Sequence, residues 1–221
     1  MNEMYLVPSW FFGLDIGMEL LFAVITILIS VIAFKIYSMT QDRKVKLFGL
    51  AFLLIGLSYI VWAGINLWFT QVMGDEIREL SIQSITTIGL LGFYSYIVLY
   101  ISGLINLVST TCESYKGRAY YLLFGLSLLV VVSSLNKLIT FRIVSAFLLF
   151  FVAYHYFDEC IMNKNKNRKA NYIMLAVSLL LISNIVFIFD YYSYYSYVVG
   201  HLIELFAYLL MLISLIKSVK K

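Results

Sequence analysis

The stretch Leu57-Ser58-Tyr59-Ile60-Val61 has a counterpart later in the chain, Ile182-Ser183-Asn184-Ile185-Val186. The same shift aligns Arg43-Lys44 with Arg168-Lys169. It also gives three further identities, Leu50 with Leu175, Ala51 with Ala176 and Leu54 with Leu179. A second shift aligns five more positions, in which Gly92, Tyr100, Leu104, Ile105 and Leu107 reappear as Gly200, Tyr208, Leu212, Ile213 and Leu215. We therefore predict that one three-helix unit occurs twice in the chain.

The composition is that of an integral membrane protein. Of the 221 residues, 62% are hydrophobic and 13% are charged, whereas a soluble domain carries about 25% charged residues. A helix needs about 20 apolar residues to cross roughly 30 Å of hydrocarbon. Segments of about this length occupy 17–37, 47–69, 85–108, 119–135, 139–157, 170–189 and 197–216. Their apolar runs lack the alternation of barrel strands, so the predicted fold class is all-α, with seven transmembrane helices.

The seven helices are predicted to form a single transmembrane domain over residues 1–221. Repeat one (17–108) contains helices one to three, helix four (119–135) is a linker, and repeat two (139–216) contains helices five to seven. Helices four and five should form a tight hairpin, because one continuous helix over both would be about twice the bilayer thickness. The linker makes the two repeats parallel, and transporters built from such repeats bind substrate near the midplane between the halves.

Basic residues predict how the bundle is oriented. Most of them flank the first, third and fifth connections between helices or lie at the C-terminus: Lys35, Arg43, Lys44, Lys46, Lys116, Arg118, Lys164, Lys166, Arg168, Lys169, Lys217, Lys220 and Lys221. The positive-inside rule then places the N-terminus outside and the C-terminus in the cytoplasm of a multi-pass cell-membrane protein. The net charge of +4 fits this topology and anionic lipid head groups, and we do not expect nucleic-acid binding.

In helix number and order the chain resembles the seven-helix, three-plus-one-plus-three membrane proteins that include microbial opsins and the sugar-transporting SWEET group. It is also similar to the seven-helix input regions of prokaryotic membrane sensors. Opsins hold retinal on a lysine in the middle of helix seven, but here the lysines of that region are Lys217, Lys220 and Lys221 at its end. SWEET transporters use proline-bent helices, and the one proline here, Pro8, precedes the first span. The resemblance therefore implies the architecture without retinal attachment.

Helix seven carries the strongest candidate site. His201, Glu204 and Tyr208 are spaced so that they share one helical face. Ionisable residues inside a membrane are unfavourable, usually face the bundle interior, and often mark proton relays or ligand contacts. The repeat alignment places Phe93 and Tyr96 where the second half has His201 and Glu204. The second half therefore has ionisable groups where the first has aromatic rings.

Three other polar residues are predicted to line one polar cavity together with Glu204. Glu19 on helix one, Asn66 on helix two and Asn184 on helix six belong to the outer half in the predicted topology. Alternatively, each Asn forms an interhelical hydrogen bond worth about 0.6 kcal/mol, which we expect for Asn66. Aromatic packing is the alternative for Tyr96. The predicted ligand- or proton-binding residues are Glu204, His201, Asn184, Tyr208, Glu19 and Tyr96.

Enzymatic and metal chemistry have no support in the sequence. The two histidines, His155 and His201, are expected at opposite ends of the bundle. The two cysteines, Cys112 and Cys160, lack C-x-x-C spacing, and no nucleophile or phosphate-binding motif occurs. We predict no cofactor, no metal and no catalytic residue.

The leading functional hypothesis is a non-enzymatic membrane sensor or receptor-like protein for a small molecule, an ion or pH. Since the chain has no output domain, such a sensor would act through a partner docked on the basic loops at 43–46 and 164–169. The alternative is a small-solute or cation transporter with its site between the repeats. A further alternative is a structural or accessory subunit of a membrane complex.

Overall fold

The computed structural model describes residues 13–74, 82–111, 117–162, 168–189 and 194–219. These residues form seven α-helices and no strand. The helices are α1 (Leu14–Thr40), α2 (Arg43–Gly74), α3 (Ile82–Thr111), α4 (Gly117–Ser133), α5 (Lys137–Met162), α6 (Arg168–Ile188) and α7 (Tyr194–Val219). Cys112 and most of the predicted docking loop at 164–169 lie outside the described residues.

Six of the seven helices are long and apolar enough to cross a membrane. The exception is α4, which has 17 residues and lies at the lower limit of spanning helices. The other helices extend beyond the apolar segments that the sequence defines. For example, α2 has 32 residues, because its helix continues through polar residues on both sides of the predicted span at 47–69.

The predicted hairpin between the fourth and fifth helices is present. α4 ends at Ser133 and α5 begins at Lys137, so the two are separate helices that contact each other. Asn136 caps α5, since its side-chain oxygen accepts a hydrogen bond from the Ile139 N–H at 3.4 Å. Its carbonyl accepts one from the Thr140 N–H at 3.1 Å.

Six helices form a closed ring. In order around the ring, contacts join α1, α2, α3, α5, α6 and α7, and α7 contacts α1. α4 lies outside it, against α3 and α5. The interior of the ring is built from buried aromatic side chains, which include Phe22, Phe52, Tyr100, Phe141 and Tyr208. Large apolar side chains are also exposed on the outside of the ring, as expected for helices that face lipid.

A cavity at one end of the bundle shows the direction of the ring helices, in which α2 and α6 run opposite to α1, α3, α5 and α7. Its lining includes residues from the ends of α1, α3, α5 and α7 and from the beginnings of α2 and α6. The end of the bundle that holds these residues also holds Arg43-Lys44 at the start of α2 and Lys217 near the end of α7. We call it the basic end. The opposite end, where α1, α5 and α7 begin, is the far end.

Gly103 allows α2 and α3 to approach closely. A methyl group at this position would lie 2.8 Å from the carbonyl oxygen of Ala51 and 2.7 Å from Cγ1 of Ile55.

Gly103→Ala is expected to lower the free energy of unfolding by about 1–3 kcal/mol, because the α2 backbone must move. At Gly64 a methyl group meets nothing within 4 Å, so Gly64→Ala is the matched control and should not destabilise the protein. Thermal unfolding in one detergent compares them. Equal stability of both variants would contradict the close-packing role.

Candidate functional site

The six predicted site residues are all buried in the bundle. They are Glu19, Tyr96, Asn184, His201, Glu204 and Tyr208. The Glu19 and Glu204 residues are each 2% exposed, and Asn184 is fully buried. Glu204 therefore faces the interior, as its chemistry requires.

Two tyrosine hydroxyls surround the Glu204 carboxyl group. The Tyr59 hydroxyl donates a hydrogen bond to Oε1 of Glu204, and the Tyr208 hydroxyl lies 3.4 Å from the same oxygen. The two hydroxyl oxygens are 3.0 Å apart. Tyr208 reaches Glu204 because residues four apart share a helical face. Tyr59 reaches it across the bundle axis from α2, which is not a neighbour of α7 in the ring.

Arg142 brings a permanent positive charge to this region. Its guanidinium carbon lies 4.2 Å from the centre of the Phe187 ring and 5.6 Å from that of Phe141. It interacts electrostatically with both Glu204 and Glu19. Among the described residues, however, no carboxylate oxygen lies within 4.0 Å of an Arg142 nitrogen, the distance limit for a salt bridge. The guanidinium is thus held by stacking on aromatic rings and lies within the field of two acids.

Sequence reasoning missed Arg142 as a site residue. It falls inside the predicted span at 139–157. That position was an available signal, because an ionisable residue within a span is a functional candidate by default. Tyr59 was also outside the predicted set. Its position in the repeated stretch gave no indication that its hydroxyl would reach Glu204.

Glu19 forms a second polar centre between α1 and α2. The side-chain amide of Asn66 donates to both carboxyl oxygens of Glu19, at 3.1 Å each. Asn66 thus makes the interhelical hydrogen bond expected of it. One turn earlier on α2, the Trp62 ring packs against Phe93 and Tyr96 of α3, with ring centres 6.1 and 5.1 Å apart. Aromatic rings therefore cover this centre on the α3 side.

His201 and Asn184 each form a hydrogen bond within their own helix. Nδ1 of His201 lies 3.1 Å from the Tyr197 carbonyl oxygen, and its ring centre is 5.0 Å from that of Phe187. The Asn184 amide donates to the Leu180 carbonyl at 3.0 Å. Its Oδ1 is buried without a hydrogen-bond partner among the described residues, next to the Tyr100 phenol. The structure describes no hydrogen bond from His201 to Glu204.

The site combines one guanidinium, two carboxyl groups and several phenols, and aromatic rings enclose them. Tyr96 and Tyr100 form the α3 side of it, and each ring centre is 5.4 Å from that of Phe141. In such a low-dielectric setting a change of one charge has a large effect on its neighbours. Gain or loss of a proton at either carboxyl group is the simplest such change.

Comparisons of the chain with protein-family models, with curated proteins and with solved structures give no match. The described structure is that of an all-helical bundle with six candidate membrane spans.

Proposed function

We propose that this protein is a non-enzymatic seven-helix sensor of the cell membrane that responds to protonation of the polar site around Glu204. The observation that carries the proposal is the enclosed network of Glu204, Tyr59 and Tyr208 within the field of Arg142. Both acids already accept hydrogen bonds from the protein. A proton needs no further space, whereas a larger ligand would have to displace these donors.

Charge balance supports a proton response. Arg142 stays protonated at any physiological pH. With Glu19 and Glu204 both ionised, the three groups carry one net negative charge, and protonation of either acid makes them neutral. The groups facing Glu204 lie on other ring helices: Tyr59 on α2, Tyr100 on α3 and Arg142 on α5. Protonation would thus change forces between helices, which is what a two-state sensor requires.

The proposal includes the predicted repeat, the crossing of the membrane by α4, and the orientation with the N-terminus outside. The order of the helices around the ring supports the repeat. In each half the middle helix, α2 or α6, contacts both of the other helices. In this orientation the Glu204 site lies in the outer half and the basic end in the cytoplasm. A signalling partner would dock there on the loops at 43–46 and 164–169.

The test uses Trp62 as a reporter of the site. Trp10→Phe and Trp68→Phe leave Trp62 as the single tryptophan, and its ring packs on Tyr96. In nanodiscs, the fluorescence of this protein is expected to change cooperatively as pH is varied between 4 and 9. Glu204→Gln should remove the part of the transition that belongs to Glu204 and leave the part that belongs to Glu19. Asp158→Asn, a matched change at an exposed acid, should leave the whole transition intact. An unchanged transition in Glu204→Gln would rule out protonation of Glu204 as the signal.

A small-solute or cation transporter is the second candidate, and one observation favours it. A cavity lies at the basic end of the same bundle, on the other side of the bundle from the Glu204 site. A transporter needs openings toward both sides of the membrane, and this cavity would supply one of them. Proteoliposomes separate the two functions. Proton or solute flux that Glu204→Gln abolishes would exclude the pure sensor. Absence of flux, together with recovery of a signalling protein on the basic loops, would exclude the transporter.

A further inference from the structure

A cavity of about 300 Å³ opens at the basic end of the bundle. Every helix of the ring contributes to its lining, so it lies where the six helices meet. Its walls are mainly apolar and come from Ala33, Ile36, Val45, Phe48, Ile173 and Leu215.

The mouth of the cavity carries charge. Lys44 and Glu159 are exposed side chains of its lining, and His155 Nε2 lies 3.6 Å from a Glu159 oxygen. Thr110 and Tyr156 add hydroxyl groups to the lining. The cavity is therefore apolar inside and polar at its mouth, which is the arrangement that fits an amphiphile.

The surrounding field is positive. Among the residues whose burial the structure describes, the exposed basic ones at the basic end are Lys35, Arg43, Lys44, Lys46, Arg118 and Lys217. Within the same described part of the chain, the exposed acidic residues there are Asp42, Asp158 and Glu159. An excess of one sign raises the local concentration of ligands of the opposite sign. Among amphiphiles, the cavity therefore favours those with an anionic head.

We propose that this cavity binds a carboxylic acid with a short aliphatic tail, its carboxylate at Lys44 and its tail between Ile36, Phe48 and Leu215. The volume equals that of about ten water molecules at roughly 30 Å³ each, which corresponds to about ten non-hydrogen atoms. Octanoate has this size and is the probe of choice. The site is independent of the Glu204 network, and its test does not depend on a pH response.

The experiment is calorimetric titration of sodium octanoate into the full-length protein in zwitterionic nanodiscs, with the signal of empty nanodiscs subtracted. Octanoate is expected to bind more tightly than octanol, which lacks the charge. Butanoate should bind on the order of a hundredfold more weakly, since each buried methylene contributes about fourfold in affinity. Competition by a long-chain fatty acid would assign the site to membrane lipid acids. Failure to compete would assign it to the free short acid.

Two lysines of α2 provide a matched pair of variants. Lys44→Gln should remove the preference for octanoate over octanol, whereas Lys46→Gln should keep it, because Lys46 lies outside the lining and near the Tyr37 ring instead. Ile36→Trp fills the cavity and should abolish binding while the thermal midpoint is retained. Equal binding of octanoate and octanol, equal effects of the two lysine variants, or normal binding by Ile36→Trp would overturn the proposal.

Discussion

Arg142→Gln is expected to lower the free energy of unfolding by about 3 kcal/mol, the loss typical when buried charges lose their partner; Arg142 itself is half-buried, whereas Glu19 and Glu204 are buried. The substitution leaves Glu19 and Glu204 in the bundle interior without the cation that interacts with both of them. It also removes the stacking of the guanidinium on Phe187. Equilibrium unfolding in a single detergent measures the effect. Arg118→Gln, at an exposed position on α4, serves as the control and should change stability by less than about 0.5 kcal/mol.

The loss in Arg142→Gln should also depend on pH and on Glu204. Protonation removes the uncompensated negative charges, so the loss should be smaller at pH 4 than at pH 8. Adding Glu204→Gln should recover part of it, since the double variant contains one buried acid fewer. The double-mutant cycle then yields the coupling energy between the two residues. Additive effects at every pH would contradict an electrostatic connection between Arg142 and Glu204.

The sequence was sufficient to predict the helices because lipid restricts the possible structures so strongly. Apolar runs of membrane length predicted seven helices, and the break around Asn136 was predicted from the excessive length of one continuous helix. Helix ends were less predictable. Polar residues beyond an apolar run can continue a helix, as α2 does from Arg43 to Gly74, so a hydropathy limit is not a helix limit.

The buried residues of the site followed from a simple energetic rule, but their partners did not. Glu19, Glu204 and Asn184 are unfavourable in lipid and so were expected in the interior, where the structure places them. Helical spacing related Glu204 to Tyr208 because the two lie on one helix. The contact from Tyr59 crosses the ring, and it depends on the packing of helices that are distant in sequence. No periodicity within one helix contains that information.

Phe52 lies between the cavity at the basic end and the polar site at Glu204, and its side chain is fully buried. Its ring centre lies 4.8 Å from that of Phe48, which lines the cavity at the basic end. It lies 6.4 Å from that of Tyr208, which contacts Glu204. Phe52 thus fills the space between the cavity and the polar site with apolar volume. A smaller side chain at this position would leave a void that joins the two.

Phe52→Ala is therefore expected to lower the free energy of unfolding by about 3–5 kcal/mol, the usual loss when a buried phenylalanine is truncated. Phe147→Ala is the control, because Phe147 is 70% exposed on the outside of the bundle and its truncation should change stability little. Since Tyr208 loses a packing partner, the pH transition reported by Trp62 should also shift in Phe52→Ala but not in Phe147→Ala. Phe52→Leu, which restores part of the volume, should lie between wild type and Phe52→Ala in both measurements. A stable Phe52→Ala protein with an unaltered pH transition would show that the polar site does not depend on the aromatic contact between Phe52 and Tyr208.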